Sequence, residues 1–182
     1  MVKKVSIWST LEPLLYSEPL HLAEISKKLK KPHTTVRKQL EIFEKMGLIE
    51  KRKKGKQIFY KIKNIPLLVD YLTIVEKEKL IKRCNEELLL KEIVEFMHRF
   101  SNPILIFGSS VYSLKNAKDV DLLIIGKFKK EELKKLEEKL NIRFHVINVK
   151  NLKMINEALK KEIKRKHLII NGSEVFIKWL IS

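Results

Sequence analysis

The sequence predicts an α+β chain of two small domains joined by helices, and three observations carry that expectation. Residues 5–63 run helix, helix, turn, helix, hairpin; residues 65–100 keep helical periodicity; and residues 104–125 read as two apolar strands joined through a Gly-Ser-Ser turn. Helices and strands then alternate to the end of the chain. A length of 182 residues suits one ordinary domain or two small ones.

The first domain begins with an apolar helix carrying Ile7, Trp8, Leu11, Leu14 and Leu15, which is expected to stop near Pro19. A second helix spans about His21 to Leu29, with Leu22, Ile25 and Leu29 inward. Pro32 suits the start of a third, His33 to Met46, whose core face is Val36, Leu40, Phe43 and Met46. Gly47 closes that helix. Leu48 to Ile62 reads as a two-stranded hairpin tipped by Lys51-Arg52-Lys53-Lys54-Gly55-Lys56.

This order of parts, and the phrase ISKKLKKPHTTVRKQLEIFEKMGLIEKRKKGKQIFYKI, resemble the winged helix-turn-helix domains of small prokaryotic regulators. The resemblance implies double-stranded DNA as a partner, with the N-terminal part of the third helix in the major groove and the hairpin on the backbone. Since Val36 and Leu40 face inward, Thr34, Thr35, Arg37 and Lys38 are the residues it offers for base and phosphate contact, with His33 beside them. Arg52, Lys53, Lys54 and Lys56 would contact phosphates and add affinity without sequence information.

Between Ile65 and Phe100 two helical runs are expected. Leu67, Leu68, Tyr71, Leu72 and Val75 share a face in the first, and Leu88, Leu89, Ile93, Phe96 and Met97 in the second. Two readings of the first run stay open, pairing with a second copy as a homodimer or docking as a linker on the hairpin domain. The expected domains are 1–64, a helical linker 65–84, and 85–182.

The stretch ILIFGSSVYSLKNAKDVDLLII, Ile104 to Ile125, carries the chemistry of the second domain. Period-2 alternation puts Asp119 and Asp121 on one strand face, with Val120 and Leu122 on the other, so the carboxylates can share a cation. An uncompensated carboxylate pair inside an apolar strand is costly, and a hard divalent cation is the usual compensation. Gly108 allows a tight turn and close ligand approach, while Ser109 and Ser110 offer hydroxyls and N–H groups to phosphate oxygens. Beyond Ile125 the pattern predicts a helix over 129–140, a strand over 142–149, a helix over 151–166, a strand over 168–170 and a last helix over 174–181, with helices on one side of the sheet.

Phe107-Gly108-Ser109, a spacer of Ser110 to Lys118, and then Asp119-Val120-Asp121-Leu122 resemble the signature of nucleotidyltransferases related to DNA polymerase beta, in their minimal archaeal and bacterial form. The resemblance implies a small mixed-sheet fold and transfer of a nucleoside monophosphate from a nucleoside triphosphate to a hydroxyl. It implies Asp119 and Asp121 as catalytic ligands of Mg²⁺ or Mn²⁺, with Gly108, Ser109 and Ser110 holding phosphates. The chain departs from that pattern in three places. The strand IRFHVINV carries His145 where the family has a third carboxylate, Val111-Tyr112-Ser113 replaces Ala-Arg-Gly, and Lys115 and Lys118 flank the aspartates. An imidazole suits Mn²⁺ better than Mg²⁺. Two functional readings follow: a DNA-binding protein that binds a nucleotide and transfers it to an unknown acceptor, or a transcriptional regulator whose second domain is inactive and serves as sensor or dimerisation unit.

Composition agrees with a cytoplasmic protein. No apolar run reaches the roughly 18 residues of a membrane span, and the N-terminus lacks a signal peptide's apolar region. A lone Cys84 excludes an intrachain disulfide. The net charge is +17, from 39 basic and 22 acidic side chains, and +10 of it falls in residues 1–64. Such an excess suits a polyanionic partner, and equally a thermophile's lysine-rich surface.

Overall fold

The computed structural model describes residues 6–114 and 119–182, and Lys115 and Lys118 lie outside the described residues. The chain forms two compact units, Met1–Val75 and Glu76–Ser182. Among the described residues no helix is long and apolar enough to cross a membrane.

Unit 1 is a winged helix-turn-helix fold. It opens with a 3₁₀ helix, Trp8–Leu14, where the sequence predicts an α-helix. Pro13 lies inside the segment and has no N–H to give, so the short run closes on i→i+3 bonds instead. β1 (Leu20–His21) leads into α1 (Leu22–Leu29). His21 caps α1: its Nδ1 accepts from Glu24 N at 3.3 Å, and Glu24 Oε2 accepts from His21 N at 3.1 Å. After a turn comes α2 (His33–Lys45), with Val36, Leu40 and Phe43 fully buried. It ends in Gly47 at φ +72°, where Gly47 N donates to Glu44 O and Leu48 N to Phe43 O. That turn lifts Met46 off the core face, leaving it exposed where the helical period predicts burial.

β2 (Ile49–Lys54) and β3 (Gln57–Ile62) pair as the predicted hairpin. β1 adds a third strand on the far side of β3, in the order β1-β3-β2. Two residues are too short to leave an alternation in the sequence. Leu11, Ile25, Val36, Leu40, Phe43 and Leu48 make the unit's core. Trp8 closes it, stacked on Tyr71 at 5.8 Å and tilted on Phe43 at 5.4 Å. Tyr71 belongs to α3 (Leu68–Glu86), whose Leu72 and Val75 are also buried in this unit. Leu67, expected on the same inner face, stands before the helix and is exposed.

Unit 2 takes in α3 from Glu76 onward, α4 (Leu88–Met97), β4 (Ile104–Phe107), β5 (Asp119–Ile125), α5 (Glu131–Leu140), β6 (Arg143–Val149), α6 (Glu157–Arg165), β7 (His167–Asn171) and α7 (Ser173–Ile181). The sheet order is β6-β5-β4-β7, with β4 antiparallel to both neighbours and β5 parallel to β6. A parallel pair needs a crossover, and α5 supplies it. The helix expected over 151–166 is split, because Asn151 caps a 3₁₀ turn at Lys153 N and Asn156 caps α6 at Leu159 N.

One sheet face, with Ile104, Ile106, Val120, Leu122, Ile124, Leu168 and Ile170, packs against α4 and α5. Alternation sends Leu105, Leu123 and Ile169 to the other face, and all three are buried, as are Ile163 of α6 and Phe176, Ile177 and Leu180 of α7. Helices therefore cover both faces, not one. Leu88, in the first turn of α4, is 79% exposed in place of its predicted inward position.

A buried ion cluster ties α3 to β7. Glu76 is fully buried; its Oε2 lies 2.6 Å from Lys79 Nζ and its Oε1 3.1 Å from His167 Nε2. His167 Nδ1 faces the Ile163 carbonyl at 2.6 Å. Burial pushes the Glu76 carboxyl upward, and the Lys79 and His167 charges outweigh it, holding the group at about 2 against 4.5. A depressed carboxyl adds stability above its unfolded value and loses it as pH falls through the folded one. Urea denaturation should therefore show a contribution intact above about pH 4.5 and fading toward pH 2. Glu76→Ala should cost about 3–5 kcal/mol at pH 7 by leaving Lys79 and the buried His167 without their carboxylate partner, and should flatten that acid dependence.

Candidate functional site

In unit 1 the side chains predicted to contact a ligand lie together on an open surface. The helical period that buries Val36 and Leu40 leaves Thr34, Thr35, Arg37 and Lys38 exposed on α2. On the hairpin Arg52, Lys53, Lys54 and Lys56 are exposed as well. Between helix and hairpin runs a groove of about 580 Å³, lined among others by His33, Arg37, Glu41, Glu44, Lys51 and Tyr60.

Two cations here are already matched. Lys51 Nζ lies 2.9 Å from Glu44 Oε2, whose hydrogen bond and charge raise the lysine's pKa, and Arg52 lies 2.9 Å from Glu50. Burial raises the Tyr60 hydroxyl. The free positive charge is thus concentrated on Arg37, Lys38, Lys53, Lys54 and Lys56. Arg52 and Glu50 are two apart on one strand, so alternation along β2 puts them on the same face, a spacing already present in the sequence.

In unit 2 all four strands bring residues to one end of the sheet. Phe107 pairs in register with Asp121 on one side and His167 on the other, Asp121 with His145, and Asp119 with Arg143. The Gly108 turn follows Phe107 directly, so the predicted phosphate turn and the predicted aspartates do meet. Asp121 is held on two sides. Its Oδ1 lies 3.0 Å from His145 Nδ1, and a Cβ added at Gly108, which sits at φ +74°, would fall 2.7 Å from its Oδ2. Asp119 is exposed and His145 is 71% exposed, leaving Nε2 of the ring toward solvent.

The serines divide. Ser109 is exposed at the start of a 3₁₀ turn, Ser109–Val111, whereas Ser110 is fully buried and donates its Oγ proton to the Phe107 carbonyl at 3.1 Å. Ser110 braces the turn and Ser109 faces outward. The aspartates also differ from expectation. Neither is buried, so removal from water supplies no pressure to bind a cation. Among the described residues no three His, Cys, Asp or Glu side chains are grouped to hold a metal ion. Two carboxylates would leave most of the coordination sphere of a Mg²⁺ to phosphate and water oxygens, which is how that ion is commonly held.

Sequence reasoning names His145 only as the occupant of the family's third acidic position. The Asp121–His145 pairing becomes visible with the parallel β5–β6 register, a long-range feature that periodicity does not carry.

Residues 9–65 match the family model described as sugar-specific transcriptional regulator TrmB. Two mutant forms of Lactococcus lactis ZitR, as solved structures, are each 20% identical to the chain with a TM-score of 0.34. They cover 54% of this chain, and the matched parts are 73% and 74% of theirs. No curated protein matches the chain.

The Gly108–Asp121 contact predicts a specific epistasis. Gly108→Ala should lower stability by about 1–3 kcal/mol, from the positive φ and from the clash with the carboxylate. Asp121→Ala in the same chain should return the steric part and leave the backbone part. Denaturation of the two single variants and the double variant reads the coupling directly.

Proposed function

We propose that the chain is a DNA-binding transcriptional regulator that reads double-stranded DNA with α2 and the β2–β3 hairpin. The observation that carries this reading is the exposed basic surface formed by exactly those two elements, inside the stretch that matches a transcriptional-regulator family. Thr34, Thr35, Arg37 and Lys38 reach base edges and phosphates, and Lys53, Lys54 and Lys56 neutralise phosphates, with Arg52 attenuated by Glu50. A homodimer would present two such surfaces to two half-sites. We assign its pairing to the first half of α3, where Ile74 and, just before the helix, Leu67 stand exposed.

A second reading concerns unit 2, and the Gly108 turn set against the aspartates favours it. We infer that this end of the sheet takes a nucleoside triphosphate with a divalent cation, phosphates at Gly108 and Ser109. The cation would lie against Asp119 and Asp121 and neutralise phosphate charge when bound. Open carboxylates beside a tight glycine turn suit polyphosphate better than a neutral sugar. For transfer to a hydroxyl, His145 held by Asp121 places Nε2 to take the acceptor's proton. The finer assignment of a nucleotidyltransferase rests on finding that acceptor.

Selection of DNA from a random pool at fixed salt tests the first reading, and a pool with no enrichment would end it. Arg37→Ala should cost about 1–3 kcal/mol and relax the preference at one position. Lys53→Ala should weaken all sequences alike and reduce the salt slope by about 1. Light scattering should give twice the 21.6 kDa chain mass, and the Leu67→Glu/Ile74→Glu variant the single mass.

A further inference from the structure

Tyr112 is an exposed aromatic side chain whose backbone is held on both sides. The ring is 64% exposed, while Val111 before it and Leu114 two residues on are buried in the core. Arg83 Nε donates to the Val111 carbonyl at 3.0 Å, and Glu87 Oε1 accepts from Leu114 N at 2.7 Å. The two anchoring residues are themselves paired, Arg83 Nη2 to Glu87 Oε2 at 2.7 Å. Tyr112 N donates to Ser109 O at 3.2 Å, so the Tyr112 backbone stands one 3₁₀ turn, about 6 Å along the axis, from that of the outward-facing serine. Lys166 Nζ lies 5.6 Å from the ring centroid. Lys166 precedes His167, the register partner of Phe107, which places it at the same end of the sheet as the Gly108 turn.

We propose that Tyr112, backed by Lys166 on one face of its ring, is the platform on which the base of a nucleotide stacks while its phosphates lie on the Gly108–Ser109 turn. This rests on the nucleotide reading of unit 2 and adds to it the contact that separates a nucleotide from a bare polyphosphate. An exposed tyrosine gains nothing from water on its faces, and every base offers a π-face to it. A cation on one face leaves the other open to a base and adds its own attraction to the stack. Fixed backbone on either side means that little ordering is lost when the base arrives. Stacking reads no base edge, so the four ribonucleoside triphosphates should bind with similar affinity, purines ahead of pyrimidines.

The test is calorimetric titration of the full chain with MgATP and with magnesium tripolyphosphate, which has phosphates and no base. Wild type should bind MgATP about 5- to 100-fold more tightly than tripolyphosphate. Tyr112→Ala should erase that difference by weakening MgATP alone, and Tyr112→Phe should preserve it. Equal binding of the two ligands by wild type, or a Tyr112→Ala protein that keeps the preference for MgATP, would overturn the platform and leave the phosphate site standing. Absence of binding by either ligand would overturn the nucleotide reading and the platform with it. Since Tyr112 is exposed, the circular dichroism and melting of Tyr112→Ala should match wild type.

Discussion

The carboxylate of Glu76 has no access to water, and α3 and β7 of unit 2 each bring a partner to it. A buried anion is tolerable only with cations and donors at close range, and Lys79 and His167 provide both. His167 opens β7 and pairs with Phe107, so the ion cluster also sets where β7 begins beside β4. From the same helix Arg83 holds the Val111 carbonyl, and from the α3–α4 junction Glu87 holds the Leu114 amide. The turn that starts at Gly108 is thus held by polar groups of α3 and of the residue that follows it. Polar ties of this kind are directional, unlike the aliphatic packing on either face of the sheet. They determine where a backbone goes, and here they determine where Ser109 and Tyr112 point.

Electrostatics divides the two units differently. In unit 1 three acids are held by neighbours: Glu44 by Lys51, Glu50 by Arg52, Glu24 by the α1 cap. The remaining cations on α2 and the hairpin are exposed and outnumber the acids beside them, a field suited to a polyanion. In unit 2 both signs meet at one end of the sheet. Arg143 pairs in register with Asp119, and Lys166 lies over the Tyr112 ring at the same end of the sheet, so cations and carboxylates share that end.

Much of this architecture was legible in the sequence, and the part that was not has a common cause. Local signals served well: the β4 bounds, the hairpin tip and the inward Val36, Leu40 and Phe43 all follow from period and turn chemistry. Misplaced residues sit at element ends, where a single backbone turn overrides the period. Met46 comes off the core at the Gly47 cap, and Leu67 and Leu88 stand at the starts of helices. Pro13 and the two capping asparagines, Asn151 and Asn156, reshaped helices that periodicity alone would extend. At the candidate site the sequence named Gly108, Ser109, Asp119 and Asp121 through spacing. The buried role of Ser110, the Asp121–His145 pair and the Tyr112 ring depend on strand register and on polar ties from α3, which join residues far apart in the chain.

The order β6-β5-β4-β7 leaves β6 as an edge strand, with a row of backbone groups facing away from β5. Such an edge invites another chain to add itself as a further strand. β6 carries Arg143 and His145 at alternate exposed positions, and Lys150 follows directly after it. A second copy laid against this edge would have to bring like charges together. Arg143, which pairs in register with Asp119, therefore also charges the open edge, and its removal would leave that edge less guarded against an added strand, apart from any effect on ligand.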